Sequence, residues 1–88
     1  MEQFFAINIE RLDISKFENQ MIVVDKIDKN IHVLNETASI IFDYIRIPRK
    51  KSEIYDYFVS LFGENDNIID DINEIINTFY HNNMIITI

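Results

Sequence analysis

The run Val33-Leu34-Asn35-Glu36-Thr37-Ala38-Ser39 constrains this chain more than any other segment, because the hydrophobic pattern changes character inside it. Before it, apolar residues come in short runs rich in β-branched side chains. After it, Ala38, Ile41, Phe42 and Ile45 recur at i, i+3, i+4 and i+7, the spacing of one buried helical stripe. Asn35 is placed to cap the new helix, since its side-chain oxygen can accept from first-turn amides that have no partner of their own. Glu36 sets a negative charge against the positive end of the helix dipole. The segment is a strand-to-helix junction, and any fold for this chain must join a sheet to a helix there.

The flanking sequence fills in the elements. Phe4–Ile9 reads as a first strand with Phe5, Ile7 and Ile9 on one face, followed by a polar stretch around Ser15–Asn19. Met21–Val24 suits a second strand with both faces covered. Lys26–Asn30 carries turn residues, and Ile31–Leu34 returns as a third strand, so close that an antiparallel hairpin is expected. Helix one runs from Glu36 to about Arg46 and stops before Pro48, the only proline. Ser52 is the expected cap of helix two, which buries Ile54, Tyr55, Phe58, Leu61 and Phe62. Gly63, the only glycine, falls where a left-handed helix end is wanted. Asp66 or Asn67 caps helix three, whose apolar positions Ile68, Ile69, Ile72, Ile75, Ile76, Phe79 and Tyr80 span about 140° of its circumference, wide for a helix packed on one side. Met84–Ile88 forms a terminal strand or an apolar flap. The order predicts an α+β protein, winged helix-turn-helix-like, with a three-stranded antiparallel sheet followed by three helices in one domain covering residues 1–88.

Composition excludes several classes of function. The 88 residues include nineteen isoleucines and seven phenylalanines, enough for a folded core. The absence of cysteine removes disulfides, thiolate nucleophiles and thiolate metal sites together. No apolar stretch approaches the roughly 20 residues that span a bilayer, and Met1–Phe5 lacks the basic start of a signal peptide, so a soluble cytoplasmic protein away from membranes is expected. The net charge of −7 is unevenly placed: all eight Lys and Arg lie at or before Lys51, whereas the residues after it hold seven acids and no base. That asymmetry disfavours phosphate backbones and favours a peptide carrying Lys or Arg.

Catalytic chemistry finds no constellation. His32 and His81 lie far apart in sequence, with no carboxylate or serine at useful spacing, and one glycine cannot build a phosphate loop. The acidic run Glu64–Ile68 fails as a calcium loop, because Ile68 and Ile69 stand where a ligand and a glycine are required. No metal or cofactor is expected. DNA is a poor partner as well. The only basic cluster, Arg46, Arg49, Lys50 and Lys51, precedes helix two, while the would-be recognition helix carries Asp70, Asp71 and Glu74 and no Lys or Arg.

As an ordered set, the segments resemble the PqqD-like family of RiPP recognition elements, small domains that hold the leader of a ribosomally made peptide for modifying enzymes. The likeness rests on the hairpin leading into Leu34-Asn35-Glu36-Thr37-Ala38, a short helix beginning at Ser52, a third helix carrying Asp71-Ile72, and the ending Asn82-Asn83-Met84-Ile85. It departs where Ile47-Pro48 replaces the family's glycine after helix one, and where Asn83 replaces a terminal glycine. The resemblance implies a non-enzymatic, stand-alone peptide chaperone. Its partners would be a precursor peptide and a modifying enzyme such as a radical-SAM protein, a cyclodehydratase or a leader peptidase. It also implies that the leader pairs along the third strand (Ile31, His32, Val33, Leu34) under helix three. There Asp71, Ile75, Thr78 and Asn82 share one flank, and Phe79, with Ile72 and Ile76, belongs to the core stripe while also counting among the binding residues. The alternatives are a small winged-helix transcriptional or anti-repressor protein, and an assembly subunit that has lost peptide binding.

Overall fold

The computed structural model describes residues 3–88, with the Asp66 side chain left aside. The elements are β1 (Phe4–Ile7), β2 (Leu12–Phe17), β3 (Gln20–Asp25), β4 (Ile31–Leu34), α1 (Glu36–Tyr44), β5 (Arg49–Lys50), α2 (Lys51–Phe62), α3 (Asp66–His81) and β6 (Ile85–Thr87). The architecture is α+β: a three-stranded antiparallel meander, β2-β3-β4, followed by the three helices. A second small sheet, ordered β5-β1-β6, ties the N-terminal strand to the end of the chain.

The strands differ from the sequence expectation in one respect. The Phe4–Ile7 strand does not join the meander; it pairs antiparallel with β5 (Phe5 opposite Arg49) and with β6 (Ala6 opposite Ile86). Ile9, expected within the strand on the face of Phe5 and Ile7, lies past the strand end and is exposed. The first strand of the meander is Leu12–Phe17, a segment that includes much of the stretch read as polar. It can be polar because it is an edge strand with one face turned to water: Leu12 is buried and Ile14 half-buried, while Asp13 and Ser15 point the other way. Glu18-Asn19 makes the tight turn to β3, with Glu18 at φ +55°.

The turn after β3 folds around a buried carboxylate. Asp25 is 1% exposed and accepts hydrogen bonds from the Ile27 amide (2.9 Å), the Asp28 amide (3.0 Å) and Arg11 Nε (2.7 Å). Arg11 also reaches Asp28 at 2.7 Å. Burial pushes the Asp25 carboxyl up, but the Asp28 amide, Arg11 and the Ile27 amide together outweigh it and hold the group below its ordinary value.

Helix α1 starts where the sequence requires. Asn35 has extended backbone angles, and its Oδ1 accepts from the Ala38 amide at 2.8 Å. Ser39, buried on the same turn, donates to the Leu34 carbonyl (3.1 Å) and accepts from the Met21 amide (3.0 Å), fastening the helix to β3 and β4 at once. The other two caps differ from expectation. Helix α2 begins at Lys51 with Lys50 in the cap position, so Ser52 lies within the first turn; the Glu53 carboxylate accepts from the Lys50 amide at 2.9 Å. Helix α3 is capped by Asn65, whose side chain accepts from the Asn67 amide at 2.7 Å, one residue ahead of Asp66. Gly63 ends α2 at φ +81°.

The core gathers Met21, Val23 and Leu34 of the meander with Ile41 and Phe42 of α1, Ile54 and Phe58 of α2, and Ile72, Ile76 and Phe79 of α3. Phe42 and Phe79 meet edge to face at 5.5 Å. Leu61 and Phe62, expected inside, are exposed because the last turn of α2 runs past the core. Ile69 and Tyr80, the outer members of the wide stripe on α3, are exposed too. Helix α3 ends in a Schellman turn: the Met84 amide donates to the Phe79 carbonyl (2.9 Å) and the Asn83 amide to the Tyr80 carbonyl (3.1 Å), with Asn83 at φ +58°. Among the described residues, no helix is long and apolar enough to cross a membrane.

Candidate functional site

Among the described residues, strand β4 has a neighbour on one side only. Backbone groups of a strand alternate in direction, so half of its N–H and C=O groups face away from β3 toward an open edge. Natural edges are usually blunted by lysine, proline or a bulge. The sequence Ile-His-Val-Leu has none of these. The opposite edge, β2, carries Asp13 and Lys16. The two edges of the meander are therefore unlike, and only β4 is bare.

Helix α3 runs beside this bare edge. Between them lies a hollow of about 200 Å³ lined by Val33, Leu34, Asn35, Ala38, Glu74, Ile75, Thr78 and Phe79. Its position follows from the junction described above. The Asn35 cap turns the chain from β4 into α1, and the floor is made of buried Leu34, Ala38 and Phe79, which are core residues on their far sides. A second hollow of about 170 Å³ opens where the three helices meet, lined by Thr37, Phe58, Phe62, Asn65, Ile68, Asp71, Ile72 and Ile75. Ile75 borders both, so the two hollows lie in succession along one flank of α3, the first beside the β4 edge and the second beside the end of α2. The lining residues of the two hollows include Glu74 and Asp71 and no Lys or Arg.

The structure thus brings together Val33, Leu34, Ile75, Thr78 and Phe79 at the first hollow and sets Asp71 at the second. Ile31 lies on the exposed face of β4, opposite Val24, and His32 is half-buried opposite Val23. Asn82 lines neither hollow; its amide and its Nδ2 both donate to the Thr78 carbonyl, closing the end of α3. The Thr78 hydroxyl donates back to the Glu74 carbonyl at 2.9 Å, so its proton is committed within the helix. Sequence reasoning did not count Asn35, Ala38, Thr37, Phe58, Phe62, Asn65 or Ile68 among the groove residues. The one available signal was Phe62, an aromatic side chain in the last turn of a helix just before a glycine.

A hollow of about 510 Å³ lies elsewhere, between β1, β2 and the α1–β5 connection, lined by Ala6, Ile7, Ile9, Ile14, Arg46 and Pro48. Its one ionic group, Arg46, is paired with Asp43 at 2.9 Å. Among the described residues, no three His, Asp or Glu side chains cluster as metal ligands would. The arrangement at β4 and α3 can bind an extended chain: hydrogen-bonding groups along one side, an apolar channel below and acids at the rim.

The molecule is thus a small α+β protein with an open sheet edge and a helix-walled groove beside it. The solved structure of TbiB1 in complex with the TbiA(beta) leader peptide is similar to it, with a TM-score of 0.82, 10% sequence identity, and coverage of 91% of this chain and 93% of that one. At that identity the likeness concerns the fold. No family profile matches the sequence, and no curated protein does.

Proposed function

We propose that this chain is a leader-peptide-binding protein of the RiPP recognition element type, resembling the PqqD-like family, which takes up a precursor peptide by strand addition at β4. The observation that carries the reading is the bare β4 edge, without Lys, Arg, Asp or Glu, lying directly beside the α3 groove. Strand addition draws affinity from main-chain hydrogen bonds and specificity from pockets that receive alternate side chains, and this site offers both. The similar fold of TbiB1, solved with a leader peptide, supports the same reading. In this proposal Ile31, His32, Val33 and Leu34 pair with the peptide. Ile75, Thr78 and Phe79 receive its side chains, Asp71 stands at the second hollow, Asn82 lies beyond the first where it closes α3, and the protein performs no chemistry itself. Its task in the cytoplasm is to present the peptide to a modifying enzyme, for example a radical-SAM protein or a leader peptidase.

The transcriptional alternative gains nothing from the structure, because α3 carries Asp70, Asp71 and Glu74 and no Lys or Arg to meet phosphates. Two assays on purified protein test the proposal. Fluorescence anisotropy with labelled leader peptides should give saturable binding, and a gel shift with duplex DNA at low salt should give none. DNA binding without peptide binding would reverse the conclusion.

A further inference from the structure

The side of the meander turned away from the core bears directly on the chemistry of the peptide. In the β3–β4 register Ile22 lies opposite Val33 and Val24 opposite Ile31. These four share the outer face, since Met21, Val23 and Leu34, which alternate with them, are buried on the inner one; Val33, at the end of β4, also reaches the rim of the hollow beside α3. Ile22 and Val24 are half-buried, flanked by strands on both sides. Ile31 and Val33 are 67% and 60% exposed, because β4 has no outer neighbour among the described residues. On the β2 side the same face carries Asp13 opposite Val24 and Ser15 opposite Ile22, with exposed Phe17 only at the turn end, opposite Gln20. The apolar surface therefore runs up to the β4 edge and stops there, unfinished on the side where a further strand would lie.

We propose that the peptide taken up at β4 is apolar on both of its faces. Its inward side chains enter the groove at Ile75, and its outward side chains complete the outer surface over Ile31 and Val33. The inference rests on the leader-binding reading and deepens it. The substrate class is an extended peptide with several consecutive aliphatic or aromatic residues, rather than the apolar-polar alternation of an ordinary half-exposed strand, flanked by Lys or Arg. Cross-strand pairs are the unit of sheet stabilisation, and aliphatic side chains opposite Ile31 and Val33 gain where polar ones do not. A second copy of the chain is a poor occupant. Strand β4 paired with its own copy would bring a second α3, also carrying Asp70, Asp71 and Glu74 and no base, against the same acidic groove. A separate extended peptide with a cation meets no such repulsion.

The experiment pans a displayed library of random dodecapeptides against wild type, Ile31→Thr and Ile75→Ala in parallel. Ile31 is exposed and threonine keeps the β-branch, so the first variant retains the fold. Wild type should enrich peptides with consecutive apolar positions. Ile31→Thr should lose the preference at one alternate set of positions and Ile75→Ala at the other. In a synthetic copy of the best peptide, each outward residue changed to Thr should weaken binding to wild type roughly two- to fivefold, and bind Ile31→Thr with a smaller penalty. Enriched peptides that alternate apolar and polar residues, with Ile31→Thr indistinguishable from wild type, would overturn the inference and leave leader binding standing. Enrichment of nothing by any of the three proteins would remove the leader-binding reading itself. Sedimentation velocity decides the remaining occupant: a wild-type dimer that Ile31→Thr disperses means a second copy covers this face, and the proposal falls.

Discussion

Replacing Ile75 by alanine separates the apolar from the ionic contribution to binding at the groove. Ile75 borders both hollows and is half-buried in the free protein, so part of its side chain is already packed and part awaits a ligand. The substitution removes three carbons, each worth about 0.8 kcal/mol when buried. With about half of that gained on folding and half on binding, Ile75→Ala should cost about 1–1.5 kcal/mol of affinity, a roughly five- to tenfold rise in Kd. It should also cost about 1 kcal/mol of stability. Asp71→Asn, at an exposed position, should cost less than about 1 kcal/mol, and that loss should vanish as added salt shortens the screening length. Anisotropy titrations of wild type and both variants with one labelled leader peptide, at low and high salt, measure the difference. Urea unfolding of the same samples establishes that both variants remain folded. If all three proteins bind equally, α3 does not wall the peptide site; if Asp71→Asn is the more damaging and stays so at high salt, recognition is ionic and the groove is secondary.

Three further outcomes are expected. Ser39→Ala leaves the buried Met21 amide without an acceptor and should destabilise the protein by about 1–3 kcal/mol in urea unfolding, more than removal of an exposed hydroxyl such as that of Thr78. The Asp25 carboxyl is held below its ordinary value of 3.8, so the stability it contributes is complete above that pH and is lost as pH falls through the lower folded-state value; thermal unfolding should show the gap between wild type and Asp25→Asn closing on acidification through that range. Asn83→Gly should raise stability by about 0.5–1 kcal/mol, because Asn83 holds φ +58° at the end of α3 and glycine adopts that angle without a Cβ penalty; a decrease would mean the Asn83 side chain holds the turn by a contact of its own.

What the sequence determined by itself was whatever depends on neighbours along the chain. The Asn35 cap is a bond between residues three apart, the stripe of Ile72, Ile76 and Phe79 is set by helical spacing, and the turn at Asn83 is open to a residue that tolerates positive φ. The Ile75–Thr78 flank follows from helical spacing, whereas the expectation that a peptide pairs along Ile31–Leu34 came from the family resemblance alone. Tertiary structure alone decided the partners of β1, because β5 and β6 lie some 40 and 80 residues further on and strand pairing carries no local signal. It also made a strand of the polar segment Leu12–Phe17, which becomes one only when β3 supplies its hydrogen bonds. The choice of Asn65 over Asp66 as a cap and the burial of Asp25 under Arg11 have the same origin. So does the second hollow, which exists only where α1, α2 and α3 meet and leave Phe62 at its rim. Capping and periodicity are satisfied within a few residues, whereas edges, hollows and buried charges are made by segments distant in sequence that share a core.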